Sequence, residues 1–171
     1  KAAIKHQINA LARKEKQLSP DEPLHVILLP TNTNEVVPLS LERKSQFIEH
    51  LADVYDQLET GEDVTNFAYK NAEQPNLTIE EEKLLNKACA TCKGQCCLLG
   101  KNHAFQDIHS LGRYLAIQPK SKEALLNDFK QHLPEKSYNN GCIFQGELGC
   151  TLPKNMRANT CNSFTCKDLQ S

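Results

Sequence analysis

The sequence predicts an α+β protein, mostly α-helical, with a short β element, a β-hairpin and a C-terminal half organised by a cysteine metal cluster. Three observations predict this. Apolar residues recur at helical spacing in several separate stretches, starting with Ile4, Ile8, Leu11 and Leu18. Strand-like pattern is confined to two short segments and one Gly-bounded turn. All eight cysteines lie beyond residue 88, four of them packed into "CATCKGQCC", Cys89 to Cys97.

The first stripe predicts an amphipathic helix over residues 2–18, in a basic surround. A partner helix or a membrane surface could use that stripe, but the plainer expectation is that it packs on the protein's own core. Pro20 and Pro23 end it. "LHVILLP" predicts a short buried strand over Leu24 to Leu29, "EVVPL" a second, with the "TNTN" turn between them. Ser40 is placed to cap a helix over 41–59, whose stripe is Phe47, Ile48, Leu51, Val54, Tyr55 and Leu58, and Gly61 stops it. A weaker helix is expected over 62–72.

Thr78-Ile-Glu-Glu81 has the spacing of a capping box. The helix it starts runs into Cys89, so the first cysteine pair sits at a helix C-terminus and Gly94 turns the chain. "AFQDIHSLGRYLAI" aligns Phe105, Ile108, Leu111, Tyr114 and Leu115 on one face. A further helix is expected over 121–132, with Leu125, Leu126 and Phe129. "GCIFQGELGCTL" predicts a tight hairpin around Gln145–Leu148 with a cysteine at each outer end. Pro153 suits a helix N1 position.

At 171 residues the chain is long enough for one domain with a real core. Composition shifts near residue 75, dividing a cysteine-free helical cap with a short β element (1–75) from a cysteine-rich metal-binding domain (76–171), expected as one compact unit. Lys plus Arg number 20 and Asp plus Glu 21, so no basic footprint for nucleic acid exists. No run of about 18 apolar residues occurs, so no membrane span is expected. The opening "KAAIKHQINALARKEKQL" lacks the apolar core and cleavage site of a signal peptide. The expectation is a cytoplasmic protein with no nucleic-acid or membrane partner.

Eight cysteines suit a disulfide framework by parity, a metal centre by spacing, or a nucleophile by any one of them. Disulfide scaffolds compensate for small cores, and this chain has helices enough to build one. C-x2-C-x3-C-C followed by C-x7-C and C-x4-C favours metal. Thiolates select zinc, copper(I) or iron–sulfur centres, and eight exceed the four of one tetrahedral zinc. The candidate ligands are Cys89, Cys92, Cys96, Cys97, Cys142, Cys150, Cys161 and Cys166. They would hold two zinc ions, or one iron–sulfur cluster with spare thiols. Adjacent side chains diverge, so Cys96 and Cys97 are expected to face different ions or corners. His103 is within reach as an extra ligand. Arg157, one helical turn before Cys161, is placed to offset thiolate charge and donate hydrogen bonds to sulfur.

These motifs resemble the CxxCxxCC, or YkgJ-type, cysteine-cluster family, described as zinc- or iron-chelating domains. The shared marks are "CATCKGQCC", the helix carrying "HAFQDI", "CIF" and "GCTLPKNMRANTCNSFTC". The "GKNHAF" stretch and the "GCTLP" hairpin resemble a bacterial, uncharacterised subgroup. The likeness covers residues 86–168. It departs at Ala158, where Pro is common, and in the extra residue between Cys92 and Cys96. The resemblance implies metal binding by the eight cysteines. One branch contains flagellin lysine N-methylases, but this chain has no Gly-rich loop after a strand where a methyl donor could sit.

Three function classes follow, in this order: a metal-binding structural or binding module with a metal ion and a protein as partners, an iron–sulfur redox protein, and a metal-dependent enzyme related to protein lysine methylases. The sequence does not decide whether the chain is an enzyme.

Overall fold

The computed structural model describes residues 2–24, 26–61 and 78–163. They form six α-helices and two small antiparallel strand pairs, an α+β fold dominated by helix. The helices are α1 (Ala2–Lys16), α2 (Leu41–Thr60), α3 (Ile79–Cys92), α4 (Ile108–Ile117), α5 (Lys122–Gln131) and α6 (Asn159–Ser163). The strands are β1 (Val36–Pro38), β2 (Lys136–Tyr138), β3 (Gln145–Gly146) and β4 (Gly149–Cys150). The chain divides into a smaller unit built on Lys1–Pro30 and a larger unit, Thr31–Phe164.

In the larger unit each long helix starts on a side-chain cap that satisfies an orphan backbone donor. Ser40 Oγ accepts the Arg43 N–H at 3.2 Å to open α2. The capping box at α3 is complete: Thr78 Oγ1 accepts from the Glu81 N–H, and Glu81 Oε2 accepts from the Thr78 N–H at 2.7 Å. Asp107 Oδ1 accepts the Ser110 N–H at 2.7 Å and Ser121 Oγ the Ala124 N–H at 3.4 Å, opening α4 and α5.

The core forms where α2 packs against α4 and α5. Phe47, Leu51, Leu111, Leu125 and Phe129 are fully buried there, together with Ile143 and Phe144 from the start of the hairpin. Phe47 meets Phe144 edge-on at 4.9 Å between centroids and Phe129 at 5.9 Å. One aromatic from α2 therefore joins α5 to the cysteine-bearing hairpin. Each such pair contributes on the order of 0.5–1.5 kcal/mol beyond its buried area.

Several expectations change. The segment 24–29 forms no strand at its described positions, and none of them is buried. β1 pairs instead with β2, Val37 opposite Ser137. The physical reason lies in "TNTN". It does not reverse the chain but crosses the end of α3, where the Asn32 N–H donates to Cys92 O at 2.9 Å and its Nδ2 to Lys93 O at 3.1 Å. Phe105 precedes α4 rather than lying on it, in a left-handed backbone conformation with φ 57°. Pro153 stands one position before a short 3-10 turn, Lys154–Met156, not inside a helix. The helix expected over 62–72 lies outside the described residues. No described helix is long and apolar enough to cross a membrane.

Candidate metal centre

Three chain segments after α3 carry Cys96 and Cys97, Cys142 and Cys150, and Cys161, and hydrogen bonds fix each of them. After α3 the chain reverses through Lys93 and Gly94, both left-handed at φ 53° and 68°. A Cβ at Gly94 would stand 2.5 Å from Gln145 Cδ, so this turn and the hairpin touch with no room for a side chain. A 3-10 turn over Gln95–Gly100 then carries Cys96 and Cys97. The hairpin is stitched to it: the Cys142 N–H donates to Cys97 O at 3.0 Å and the Ile143 N–H to Lys101 O at 2.7 Å. The hairpin forms as its sequence predicts, with Gln145 opposite Cys150.

The tail carrying Cys161 is held from α4. Arg113, buried, donates through Nε to Asn159 Oδ1 at 2.7 Å, through Nη1 to Asn155 O at 3.1 Å, and through Nη2 to Arg157 O. The Gln106 amide donates to Met156 O at 2.9 Å, and Ser110 Oγ accepts the Asn159 N–H at 3.0 Å. These contacts place Arg157 beside the hairpin, where its Nε donates to Leu152 O at 2.9 Å.

Burial and neighbouring groups set how each thiol ionises. The Cys97 thiol hydrogen-bonds to Cys96 and pulls the Cys96 pKa down to about 6. The same bond raises Cys97, with burial and the neighbouring Cys142 and Cys161 sulfurs adding to it. Burial pushes Cys142 up to about 12, and Cys150 and Cys161 push the same way. Burial raises Cys161 to about 11 and raises Cys150, and the Arg157 guanidinium opposes both shifts. Cys96, Cys97, Cys142, Cys150 and Cys161 thus act on one another, with Arg157 against two of them.

Cys89 and Cys92 lie differently. Cys92 is buried at 2% exposure and its Sγ donates to its own helix, at Cys89 O, 3.3 Å away, while Cys89 is exposed. The two thiols of the C-x2-C knuckle therefore meet opposite surroundings. Cys166 lies outside the described residues. His103 stands beside His50, ring centroids 6.0 Å apart, and its Nδ1 accepts the Phe105 N–H at 3.1 Å. Burial and then the neighbouring His50 lower its pKa. Cys92, Cys96, Cys97, Cys142, Cys150 and Cys161 are free thiols. Among the described residues, no three His, Cys, Asp or Glu side chains stand as a set that could hold a metal ion.

Two cations carry no mark in the sequence, Arg43 beside the thiols and Arg113 under the tail. Arg43, in the first turn of α2, reaches Asn102 Oδ1 at 2.6 Å, Ser137 Oγ at 2.9 Å and Gly141 O at 2.6 Å. Desolvation lowers its pKa and the Cys142 sulfur counteracts that. Arg113 is likewise lowered by desolvation. Among the described residues neither meets a carboxylate. No local signal points to them, since an Arg on a helix is ordinarily solvated. Comparison of the chain with family models, curated proteins and solved structures gives no match.

Proposed function

We propose that this chain is a thiolate metal-binding module, with Cys96, Cys97, Cys142, Cys150 and Cys161 supplying the donors. What supports the reading is that buried thiols from separate segments lie within electrostatic reach of one another. Five thiols from three separate segments influence one another's ionisation, one of them beside the Arg43 guanidinium, which has no described carboxylate partner. Half-buried cations are costly without an anion, and thiolates on a metal carry surplus negative charge. The donor chemistry fits a soft or borderline cation, zinc or an iron–sulfur centre. Spacing supports it less, because a closed ligand set requires these side chains to draw together. Cys89, Cys92 and Cys166 are the further donors of the same reading. The motifs that resemble the cysteine-cluster family run through the same residues.

A bound cation would favour the charged form that burial disfavours at Cys97, Cys142, Cys150 and Cys161, since a coordinating thiol is deprotonated outright. The chain's own part is to hold the donors: Arg113 fixes the tail, Gly94 sets the turn against the hairpin, and Arg43 and Arg157 balance charge. A structural or binding role ranks first, an iron–sulfur redox role second and an enzyme third. We place the protein in the cytoplasm, with a protein partner in prospect. Anaerobic purification followed by metal analysis and a visible spectrum tests the reading. The wild type should carry zinc without colour, or iron and sulfide with it. Cys142→Ser and Cys161→Ser should each lower the metal content, and unchanged metal in both would overturn the assignment.

A further inference from the structure

Helix α1 leaves its apolar stripe exposed. None of its residues is buried, and Ile4, Ile8 and Leu11 are 53%, 38% and 66% exposed. Its polar side is the one its own chain uses. Arg13 donates through Nε to Asn9 Oδ1 at 2.9 Å, through Nη1 to Ser19 O at 2.7 Å and through Nη2 to Glu22 O at 2.9 Å. Asn9 reaches Leu24 O at 3.5 Å. The loop after α1 therefore folds back on the Asn9–Arg13 face. At about 100° per residue that face lies roughly opposite the stripe.

Charge supplies the second observation. α1 carries Lys5, Arg13, Lys14 and Lys16 against the single acid Glu15, while the rest of the chain holds sixteen cations against twenty acids. By the same helical angle Lys5 and Lys14 fall about 90° to either side of the stripe. Two long cationic side chains flanking an exposed aliphatic row match an interface with apolar tails below and anionic headgroups at the rim. A protein partner would need acids placed to meet both flanks, whereas an anionic lipid surface offers negative charge along every edge. Glu15 bounds the row at its C-terminal end.

We propose that α1 docks on an anionic phospholipid surface, lying in the interface without crossing it. The test uses the full chain, sedimented with vesicles of phosphatidylcholine alone and of phosphatidylcholine with phosphatidylglycerol. The chain should pellet with the anionic vesicles, at least tenfold more weakly with the neutral ones, and less as salt rises. The double variant Ile8→Glu with Leu11→Glu should lose at least tenfold in binding. Neither residue belongs to the buried core, and an unchanged circular dichroism spectrum checks that the fold survives the change. Lys5→Gln with Lys14→Gln should weaken binding to anionic vesicles only. Equal pelleting of wild type and the Ile8/Leu11 variant would overturn the proposal. So would a wild-type dimer in solution that the Ile8/Leu11 variant disperses, because the stripe would then be an interface between copies.

Discussion

A thiol's charge depends on its nearest neighbours, and the adjacent pair Cys96 and Cys97 shows how far two chemically identical residues can separate. The Cys97 thiol donates and Cys96 accepts, so Cys96 ionises at about 6 while Cys97 moves the other way. A folded-state pKa below the ordinary thiol value means that the ionised form favours the folded chain. That contribution is fully present above the ordinary thiol pKa and is lost as pH falls through about 6. In the metal-free chain, alkylation of Cys96 should therefore set in at lower pH than that of Cys161, which burial holds up at about 11, as read by peptide mass. A shared midpoint for the two would contradict the geometry. Gly94 is the second decisive residue. Its φ of 68° and the Gln145 side chain 2.5 Å from any added Cβ both exclude a larger residue. Gly94→Ala should cost about 1–2 kcal/mol from the left-handed backbone alone, with more from the clash, as measured by denaturant unfolding.

Among the elements, α2 has the widest reach. Its Phe47 contacts Phe129 of α5 and Phe144 beside the hairpin, so one substitution should loosen helices and hairpin together. Phe47→Ala should destabilise by about 3–5 kcal/mol in equilibrium unfolding, and a loss under about 1 kcal/mol would mean the core does not close as described. The helices with strong periodicity and side-chain caps are legible in the sequence, because both signals are local: Ser40, Thr78 with Glu81, and the stripe from Phe47 to Leu58. The hairpin is legible for the same reason, through Gly146 and Gly149. The partner of β1 is not, since it lies about a hundred residues away in "KSY", which carries no strand pattern of its own. The apolar run 24–29 imitates a strand because hydrophobicity alone does not supply a pairing edge. Asn32 has the residue type of a turn, although its buried side chain finishes α3 beside the cysteines.

Across the whole molecule, the candidate site joins segments far apart in sequence. The 3-10 turn carries Cys96 and Cys97, the hairpin Cys142 and Cys150 and the tail Cys161, with α4 and α5, packed on α2, lying between the first and the others in sequence. The cysteines themselves are legible as a set. Their grouping is not, because it depends on how the turn, hairpin and tail pack and on Arg43, which comes from another helix. Metal held between these segments would close a long loop, which is where a cross-link removes most chain freedom. A strong chelator should therefore lower hydrogen-exchange protection over residues 95–100 and 142–163, while α2, α4 and α5 keep theirs through the aromatic core. Equal protection before and after chelation would remove any structural role for the metal. The central claim, that the cysteines are metal ligands and not bridges, is tested most directly by the native mass of the full chain, purified anaerobically without reductant. The account predicts the fully reduced mass plus zinc, or plus iron and sulfide. A metal-free chain lighter by eight hydrogens, its eight cysteines joined in four disulfides, would contradict it.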